Sequence, residues 1–373
     1  MLSSVYEEDL RQITEAEEIP WAELKDTTVL ATGATGLIGS ALVYGLAAAN
    51  NTRGLGIRII AHGRDTEKGA ALADACGARW IRGDIRQPIP VEDLPLAVDY
   101  IVHCAEMTRS ADMAARPTDV IDTAVDGARN MLALAAQRHC QSFLYLSSME
   151  VYGRTDLREV RETDIGYLDL ASSRSCYPES KRMGEAMCAA YLTQYGVPAR
   201  IARLAQTFGA GTPKDDTRVF AQFARSLLAG TDIILHTEGQ SMGNYCYTAD
   251  AVRALLLILL RGEDGQAYNV ANPDASMMIR EMAELVTGLA SHGSEAGHGG
   301  EARHSVDAEL DREAALPKIS VKVEMPADAA QLGYAPDSGH KLNVDKLKNL
   351  GWQPKYGLAD MYKRLMDDWK AIN

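Results

Sequence analysis

The chain lacks any hydrophobic run long enough to cross a membrane. The longest candidate, residues 254–260, falls far short of the roughly 20 apolar residues that a membrane-spanning helix needs. Residues 1–18 are acidic and have no apolar core of the kind that a secretory signal peptide carries. These absences predict a cytoplasmic protein with no membrane partner.

Paired cysteines and an excess of positive charge are also missing. The six cysteines are scattered without a CxxC pair, which predicts reduced thiols. Basic residues number 38 against 51 acidic ones, and the net charge of −13 argues against a nucleic-acid partner. His292 and His298 lie in a Gly/His/Ser-rich stretch, residues 291–302, which predicts a mobile loop rather than a metal site.

Short β-prone segments alternate with helical patterns through the first 205 residues. The predicted strands are residues 27–32, 57–61, 80–81, 99–103, 142–147 and 199–204. This alternation predicts an α/β fold, a Rossmann-type doubly wound parallel sheet covered by helices on both faces. Beyond residue 205 the pattern is less regular, with predicted helices at 220–229, 249–261 and 278–290 and strands at 232–235 and 268–270.

A glycine-rich loop follows the first predicted strand directly. Gly33, Gly36 and Gly39 have GxxGxxG spacing between that strand and a helix. Such glycines permit a tight turn, close approach of a pyrophosphate and close packing of the helix, whose N-terminus favours phosphate. We therefore predict a dinucleotide site. The remaining predicted contacts in this loop are Thr35, Leu37 and Ile38.

The residues after the second strand bear on the choice between NAD and NADP. No carboxylate ends that strand to hold the 2′-OH of NAD, since His62 and Gly63 lead into Arg64. Arg64 could hold a 2′-phosphate or stack on adenine, which favours NADP, whereas Asp65 leaves NAD open. Asp84, after the third strand, stands where a carboxylate can accept from the adenine amino group.

A tyrosine and a lysine four residues apart form the predicted reactive pair. Tyr177 and Lys181 lie on one face if a helix begins there. The ammonium and a bound nicotinamide would both favour the phenolate, so Tyr177 could remove a proton from a sugar hydroxyl. Lys181 would also hold the nicotinamide ribose.

Seven motifs in order make the chain resemble the extended short-chain dehydrogenases of the epimerase/dehydratase family. They are TGATGLIG at 32–39, HCA at 103–105, SSMEVYG at 147–153, YPESK at 177–181, RLAQTFG at 203–209, AYNVAN at 267–272 and NLGW at 349–352. The resemblance implies an enzyme with a tightly held NAD or NADP and a nucleotide-sugar substrate. It also implies a homodimer packed through the long helices near 118–139 and 178–195.

The resemblance further implies a domain division and a fuller cofactor site. We expect a helical extension at residues 1–26, an NAD(P)-binding Rossmann domain at 27–205 and a smaller α/β substrate domain at 206–373. Segments near 240–270 are expected to return to the Rossmann domain. Further predicted cofactor contacts are Ile85, Cys104 and Ala105.

The motif around residue 148 bears on the reaction. In the family pattern Ser148 is the catalytic hydroxyl, and the dehydratase branch follows it with an Asp-Glu pair. Here the pair is Met149-Glu150. Met149 cannot donate a proton to a leaving hydroxyl, so Glu150 favours chemistry like that of UDP-glucuronate decarboxylases, or proton abstraction at C5. Epimerisation ranks next, then 4,6-dehydration.

Departures from the family pattern concern the substrate's anion. Gly243 stands where an Arg is usual, Gln206 where an Asn is expected, and Ala124 replaces an Asn on the long helix. These losses keep open an alternative, an NADPH-dependent reductase of a non-nucleotide carbonyl. Candidate replacements for the anion-binding Arg are Arg174, Arg218 and Lys214. The predicted substrate contacts are Met107, Met149, Gln206, Thr207, Arg218 and Asn244.

Overall fold

Seven parallel strands form the largest sheet. The computed structural model describes residues 2–292, 319–325 and 339–372. With strands numbered along the chain, this sheet contains β1 (Thr28–Thr32), β2 (Arg58–Gly63), β3 (Arg79–Arg82), β4 (Tyr100–His103), β5 (Ser142–Ser148), β7 (Ala199–Leu204) and β11 (Ala267–Val270). Their order is β11-β7-β5-β4-β1-β2-β3, with every neighbouring pair parallel. The predicted Rossmann-type fold is confirmed, and its strand order reverses between β1 and β4.

Helices cover both faces of this sheet. Those in the described residues are α1 (Ser4–Thr14), α2 (Leu37–Arg53), α3 (Thr66–Cys76), α4 (Ser110–Ala115), α5 (Pro117–Arg138), α6 (Cys176–Tyr195), α7 (Val219–Ala229), α8 (Thr248–Arg261), α9 (Ile279–His292), α10 (Asp345–Lys348) and α11 (Leu358–Ala371). None of them is long and apolar enough to span a bilayer.

Strand β1 illustrates why both faces must be covered. All five of its residues are buried. Val29 and Ala31 belong to the core shared with α2 and α8, whereas Leu30 belongs to the core shared with α5. Because alternate residues of a strand face opposite sides, an uninterrupted apolar run is stable only between two layers of helices.

The chain after β7 contributes to both parts of the molecule. A three-stranded sheet joins β8 (Gln206–Phe208), β10 (Met242–Tyr247) and β12 (Asn272–Met278). Two parallel pairs join β9 (Ile233–Leu235) to β13 (Val321–Val323) and β6 (Glu159–Val160) to β14 (Lys341–Leu342). The chain also returns to the large sheet, where β11 is an edge strand and α8 packs on β5 and β7.

The first helix is fastened to the last. Ser3 caps α1, and its Oγ donates to Asp368 of α11 at 2.5 Å. Asp9 accepts from the Tyr247 hydroxyl at 2.7 Å and from Arg364 of α11 at 2.5 Å. The segment expected to be a helical extension is thus a helix at Ser4–Thr14, followed by a 3-10 turn at Trp21–Leu24.

The irregular regions differ most from the sequence prediction. Strands β10 and β12 were not predicted, because neither MGNYCY nor NPDASMM shows the apolar alternation of a half-buried strand. The prediction of a loop at 291–302 is wrong at its start, because Ser291 and His292 are the last two residues of α9. Its remainder, with His298, lies outside the described residues. The six cysteines are all free thiols.

Candidate active site

A cleft of about 1050 Å³ runs along the carboxyl ends of β1, β2, β4 and β5. This edge includes the point where the strand order reverses, which is where open α/β sheets bind ligands. The cleft brings together all of the predicted catalytic and cofactor residues. They come from segments as distant in sequence as the loop after β1 and the start of α6.

The glycine loop lies closely against its neighbours at one end of the cleft. Gly33 has a φ of +62°, and a Cβ built there would lie 2.7 Å from the Cα of Ala105. A Cβ at Gly39 would overlap the carbonyl oxygen of Gly33. Gly36 caps the N-terminus of α2, whose first N–H groups face the cleft without a side-chain cap. This narrow turn at the start of a 17-residue helix fits a dinucleotide pyrophosphate.

Charged residues surround the end of the cleft that is predicted to hold the adenosine of the cofactor. Arg64 lines the cleft with an exposed side chain. The neighbouring Asp65 caps α3, with its Oδ1 accepting from the Lys68 N–H at 3.1 Å. Asp84 pairs with Arg86 at 2.7 Å, and hydrogen bonds from Arg86 lower the pKa of Asp84. Arg64 thus presents an exposed cation to a ligand at this end of the cleft, beside the carboxylate of Asp65.

Tyr177 and Lys181 lie one turn apart at the start of α6 and point into the cleft. Tyr177 is 7% exposed and shares a hydrogen bond with Ser148, at the end of β5. Nζ of Lys181 donates to the Leu146 carbonyl at 2.8 Å and lies 5.8 Å from the centre of the Tyr177 ring. A hydroxyl, a phenol and an ammonium therefore converge on one wall of the cleft.

Burial is the main influence on the Tyr177 phenol. It raises the pKa of Tyr177 above its usual value, and the nearby carboxylates of Glu150 and Glu106 raise it further. The hydrogen bond with Ser148 and the charge of Arg174 act in the opposite direction. At neutral pH these influences keep Tyr177 a neutral phenol.

Glu150 and Arg174 form an ion pair beside the reactive hydroxyls. Arg174 Nη2 lies 3.0 Å from Oε1 and 2.9 Å from Oε2 of Glu150. Both side chains line the cleft and are 15% and 27% exposed for Arg174 and Glu150 respectively. The Nε of Arg174 is buried and has no partner in the described part of the chain. The guanidinium charge is thus balanced by Glu150 within the cleft.

Comparison with protein families agrees with this geometry. Residues 29–271 match the model of the NAD dependent epimerase/dehydratase family. The chain belongs to this family. A curated relative from Arabidopsis thaliana, UDP-glucuronic acid decarboxylase 5, is 30% identical over 293 residues, which are 78% of this chain and 74% of the relative. UDP-glucuronic acid decarboxylase 1 of Xenopus tropicalis is 32% identical over 55% of this chain and 48% of its own length.

Solved structures of family members share the fold. UDP-glucose 4-epimerase from Thermotoga maritima superposes with a TM-score of 0.71 at 19% identity, covering 92% of this chain and 99% of the epimerase. DesIV, a dTDP-glucose 4,6-dehydratase from Streptomyces venezuelae, gives 0.72 at 22% identity over 92% and 97%. At this identity the likeness describes the architecture and not the reaction.

Most of the predicted substrate contacts also line the cleft of this epimerase/dehydratase family member, namely Met149, Gln206, Thr207 and Arg218. Two do not. Met107 packs in a buried cluster with Met113, Val120 and Tyr177. Asn244 is 1% exposed and bonds the His340 carbonyl, Ser276 Oγ and the Leu342 N–H, so its amide stabilises the backbone. Of the proposed anion ligands, Lys214 is also outside the cleft lining, and Arg218 is paired with Asp216.

Gly243 has a steric reason to lack the side chain usual in the family. A Cβ at this position of β10 would overlap the Tyr245 ring, which is fully buried. An Arg at position 243 would have to displace that ring from the core, so the packing of Tyr245 excludes any side chain at this position. Of the three candidate replacements, Arg174 and Arg218 line the cleft.

Two features near the site escaped the sequence analysis. Glu106, directly after the HCA motif, lies 2.9 Å from Nζ of Lys181 with a side chain 4% exposed. Below the cleft, Arg203 forms a paired contact with Glu185, which also accepts from Ser147 Oγ at 2.5 Å. An acidic residue directly after HCA was a visible signal for Glu106. The Glu185–Arg203 pair joins α6 to β7 and had no local signature.

Proposed function

We propose that this chain modifies a nucleotide sugar through a 4-keto intermediate, in the manner of a UDP-glucuronate decarboxylase or an epimerase. The observation that carries the proposal is the convergence of Ser148, Glu150, Tyr177 and Lys181 on one wall of the cofactor cleft. Relatives named as UDP-glucuronic acid decarboxylases support the first of these reactions.

The chain's own residues suggest how the site would work. A nicotinamide bound in the cleft supplies the acceptor for the electron pair that leaves the sugar carbon, and can return it. Tyr177 would take the proton of the sugar hydroxyl at that carbon, with Ser148 hydrogen-bonded to the same oxygen. Lys181 would bind the ribose and favour the phenolate. The glycine loop and Arg64 would hold the rest of an NAD or NADP molecule.

Glu150 and Arg174 would act at the carbon next to the ketone. A ketone beside a carbon that carries a carboxylate allows CO2 to leave, because the ketone accepts the electron pair as an enolate. Arg174, whose side chain lines the cleft, would hold that carboxylate with its guanidinium charge, in place of the Arg that Gly243 excludes. Glu150 would deliver or remove a proton at the neighbouring carbon. Met149 offers no proton for a leaving hydroxyl, which ranks dehydration last.

The first test identifies cofactor and reaction together. The nucleotide released from purified protein is identified by mass spectrometry, and the protein is then incubated with UDP-, dTDP-, CDP- and GDP-sugars, including UDP-glucuronate. We expect bound NAD or NADP, and either CO2 release from UDP-glucuronate or a product isomeric with its substrate. Conversion of none of these sugars by protein loaded with cofactor would overturn the proposal.

Two matched pairs of variants then test the residues. Tyr177→Phe should lower turnover by about 10²–10⁴ and leave cofactor binding intact, whereas Tyr245→Phe, in a buried tyrosine outside the cleft, should leave turnover unchanged. Glu150→Gln should also slow turnover, whereas Glu179→Gln breaks a similar ion pair outside the cleft lining and should not. Equal effects within either pair would remove the residue from the mechanism.

A second candidate function rests on Gly243 and Arg64. Without the usual Arg, and with a cation available for a 2′-phosphate, the site also suits an NADPH-dependent reductase of a non-nucleotide carbonyl. That enzyme would consume added NADPH with a simple ketone and would be purified without bound cofactor. The same mass-spectrometric experiment separates the two candidates.

The assembly and location form part of this proposal. Helices α5 and α6 pack together and expose Ile121, Met183 and Tyr195 by 42%, 51% and 57%. We propose that this apolar surface forms a homodimer, which light scattering on the eluted protein would detect. Replacing Met183 and Tyr195 with Glu should give monomers. We place the enzyme in the cytoplasm, where nucleotide sugars are made.

A further inference from the structure

Glu106 is held rigidly at the bottom of the cleft. It follows Ala105 on the loop after β4, and its Oε1 accepts from the Met107 N–H at 2.9 Å. Its Oε2 lies 2.9 Å from Nζ of Lys181, and the two side chains are 4% and 5% exposed. A buried pair of this kind is costly to separate, because either charge alone would be left desolvated.

Contacts within the protein use most of the hydrogen-bonding capacity of the Lys181 ammonium. It has three N–H donors. One donates to the Leu146 carbonyl at 2.8 Å, and another faces Glu106. The Nζ also lies 5.0 Å from the centre of the Tyr145 ring. One N–H therefore remains for a ligand on the side of Tyr177.

The other ionisable groups around Glu106 and Lys181 are either uncharged or already paired, so Glu106 is the group that neutralises the Lys181 ammonium. From β4, β5 and the adjoining loops these groups are His103, Cys104, Tyr145, Glu150 and Arg174, and α6 adds Cys176, Glu185 and Cys188. Burial lowers the pKa of His103 to about 3, with Lys181 contributing, and raises the pKa of Cys104 to about 12. Burial likewise raises the pKa of Tyr145, Cys176 and Cys188. All five are uncharged at neutral pH.

The charged groups therefore form three pairs. Glu150 is matched by Arg174, Lys181 by Glu106, and Glu185 by Arg203 of β7. Removing the Glu106 carboxylate would leave one uncompensated positive charge beside the Tyr177 phenol.

We propose that Glu106 is a positioning residue that tethers Lys181 and balances its charge, so that Tyr177 keeps its proton in the resting site. This inference rests on the proposed function for its catalytic meaning. The charge balance itself is a property of the unliganded protein and can be measured without a substrate.

The direct test is a titration of the Tyr177 phenolate. The ultraviolet absorbance of each protein is followed with rising pH, and that of the matching Tyr177→Phe protein is subtracted. Glu106→Gln should lower the midpoint by about one to three pH units, the size expected for one neighbouring charge. Glu106→Asp keeps the charge and should stay near the wild-type midpoint. An unchanged midpoint in folded Glu106→Gln protein overturns the inference.

A double variant covers the case in which Glu106→Gln alone does not fold. Glu106→Gln combined with Lys181→Met removes both charges, so no buried ion is left unpaired. Its Tyr177 midpoint should return close to that of the wild type. A midpoint well below the wild-type value in this variant would overturn the inference, since neither partner's charge remains.

Kinetics supply a second readout that a merely structural role would not move. If a nucleotide sugar is turned over, the acid limb of the kcat profile should shift to lower pH in Glu106→Gln. A lower kcat at an unchanged pH dependence would contradict the assigned role. Failure of every sugar would count against the proposed function alone, because the absorbance titration uses no substrate.

Discussion

Acidification should destabilise this protein through His62, the penultimate residue of β2, at the wall of the cofactor cleft. The side chain is 2% exposed, and its Nδ1 is buried without a partner in the described part of the chain. Burial lowers the pKa of His62 from 6.5 to about 4, although Asp84 acts in the opposite direction. An imidazolium at this position would be a desolvated charge.

The direction and size of this loss of stability follow from proton linkage. Between pH 6.5 and about 4 the unfolded chain binds a proton that the folded chain excludes, so the free energy of unfolding is highest above pH 6.5 and falls with pH. The 2.5-unit difference sets a ceiling of about 3.4 kcal/mol at low pH. Between pH 7 and pH 5 the loss due to His62 should be about 2 kcal/mol.

Urea unfolding at pH 7 and pH 5 measures this loss, with His62→Asn as the variant that cannot titrate. The variant should lose about 2 kcal/mol less than the wild type. Comparing the two proteins cancels the contributions of other titrating groups. One of these is Asp9: burial raises its pKa to about 6, so its contribution to the free energy of unfolding increases as the pH falls. Exposed His139, at a left-handed position that Asn also adopts, provides the control His139→Asn. Equal losses in wild type and His62→Asn would refute the reasoning.

Three further variants test the cofactor loop, the cofactor choice and the support beneath the cleft. Gly39→Ala should abolish retention of nicotinamide cofactor, because the Cβ overlaps the Gly33 carbonyl; purification with full cofactor content would contradict this. Arg64→Ala should weaken binding of NADP more than that of NAD in fluorescence titrations, and an equal loss would speak against a 2′-phosphate contact. Arg203→Leu should cost about 3–5 kcal/mol in urea unfolding by leaving Glu185 unpaired, and a loss below about 1 kcal/mol would show that the pair is dispensable.

The large sheet could be predicted because each of its strands carries its own local signal. Residues 28–32 and 142–148 are continuous apolar or β-prone runs, and the glycines at 33, 36 and 39 mark where the first strand turns into a helix. The cleft residues followed from these positions, since parallel strands end at one edge.

Contacts between distant segments could not be read from local pattern. Glu106 meets Lys181 only because β4 and β5 are neighbours and α6 crosses above them. Asn244 was expected at the substrate, but the register of β10 turns its amide toward Ser276 and the backbone of residues 340 and 342. In both cases the partner is supplied by tertiary packing, which a single segment does not encode.

The contact between the first and last helices has a consequence for synthesis on the ribosome. Asp9 and Ser3 find their partners on α11, more than 350 residues later in the chain. At roughly 5–20 residues per second, α1 would wait about 20–70 s before α11 emerges. During that interval α2 can already cover part of α1, while the Asp9 carboxylate stays in water. Docking of α11 is thus the step that completes the burial of Asp9.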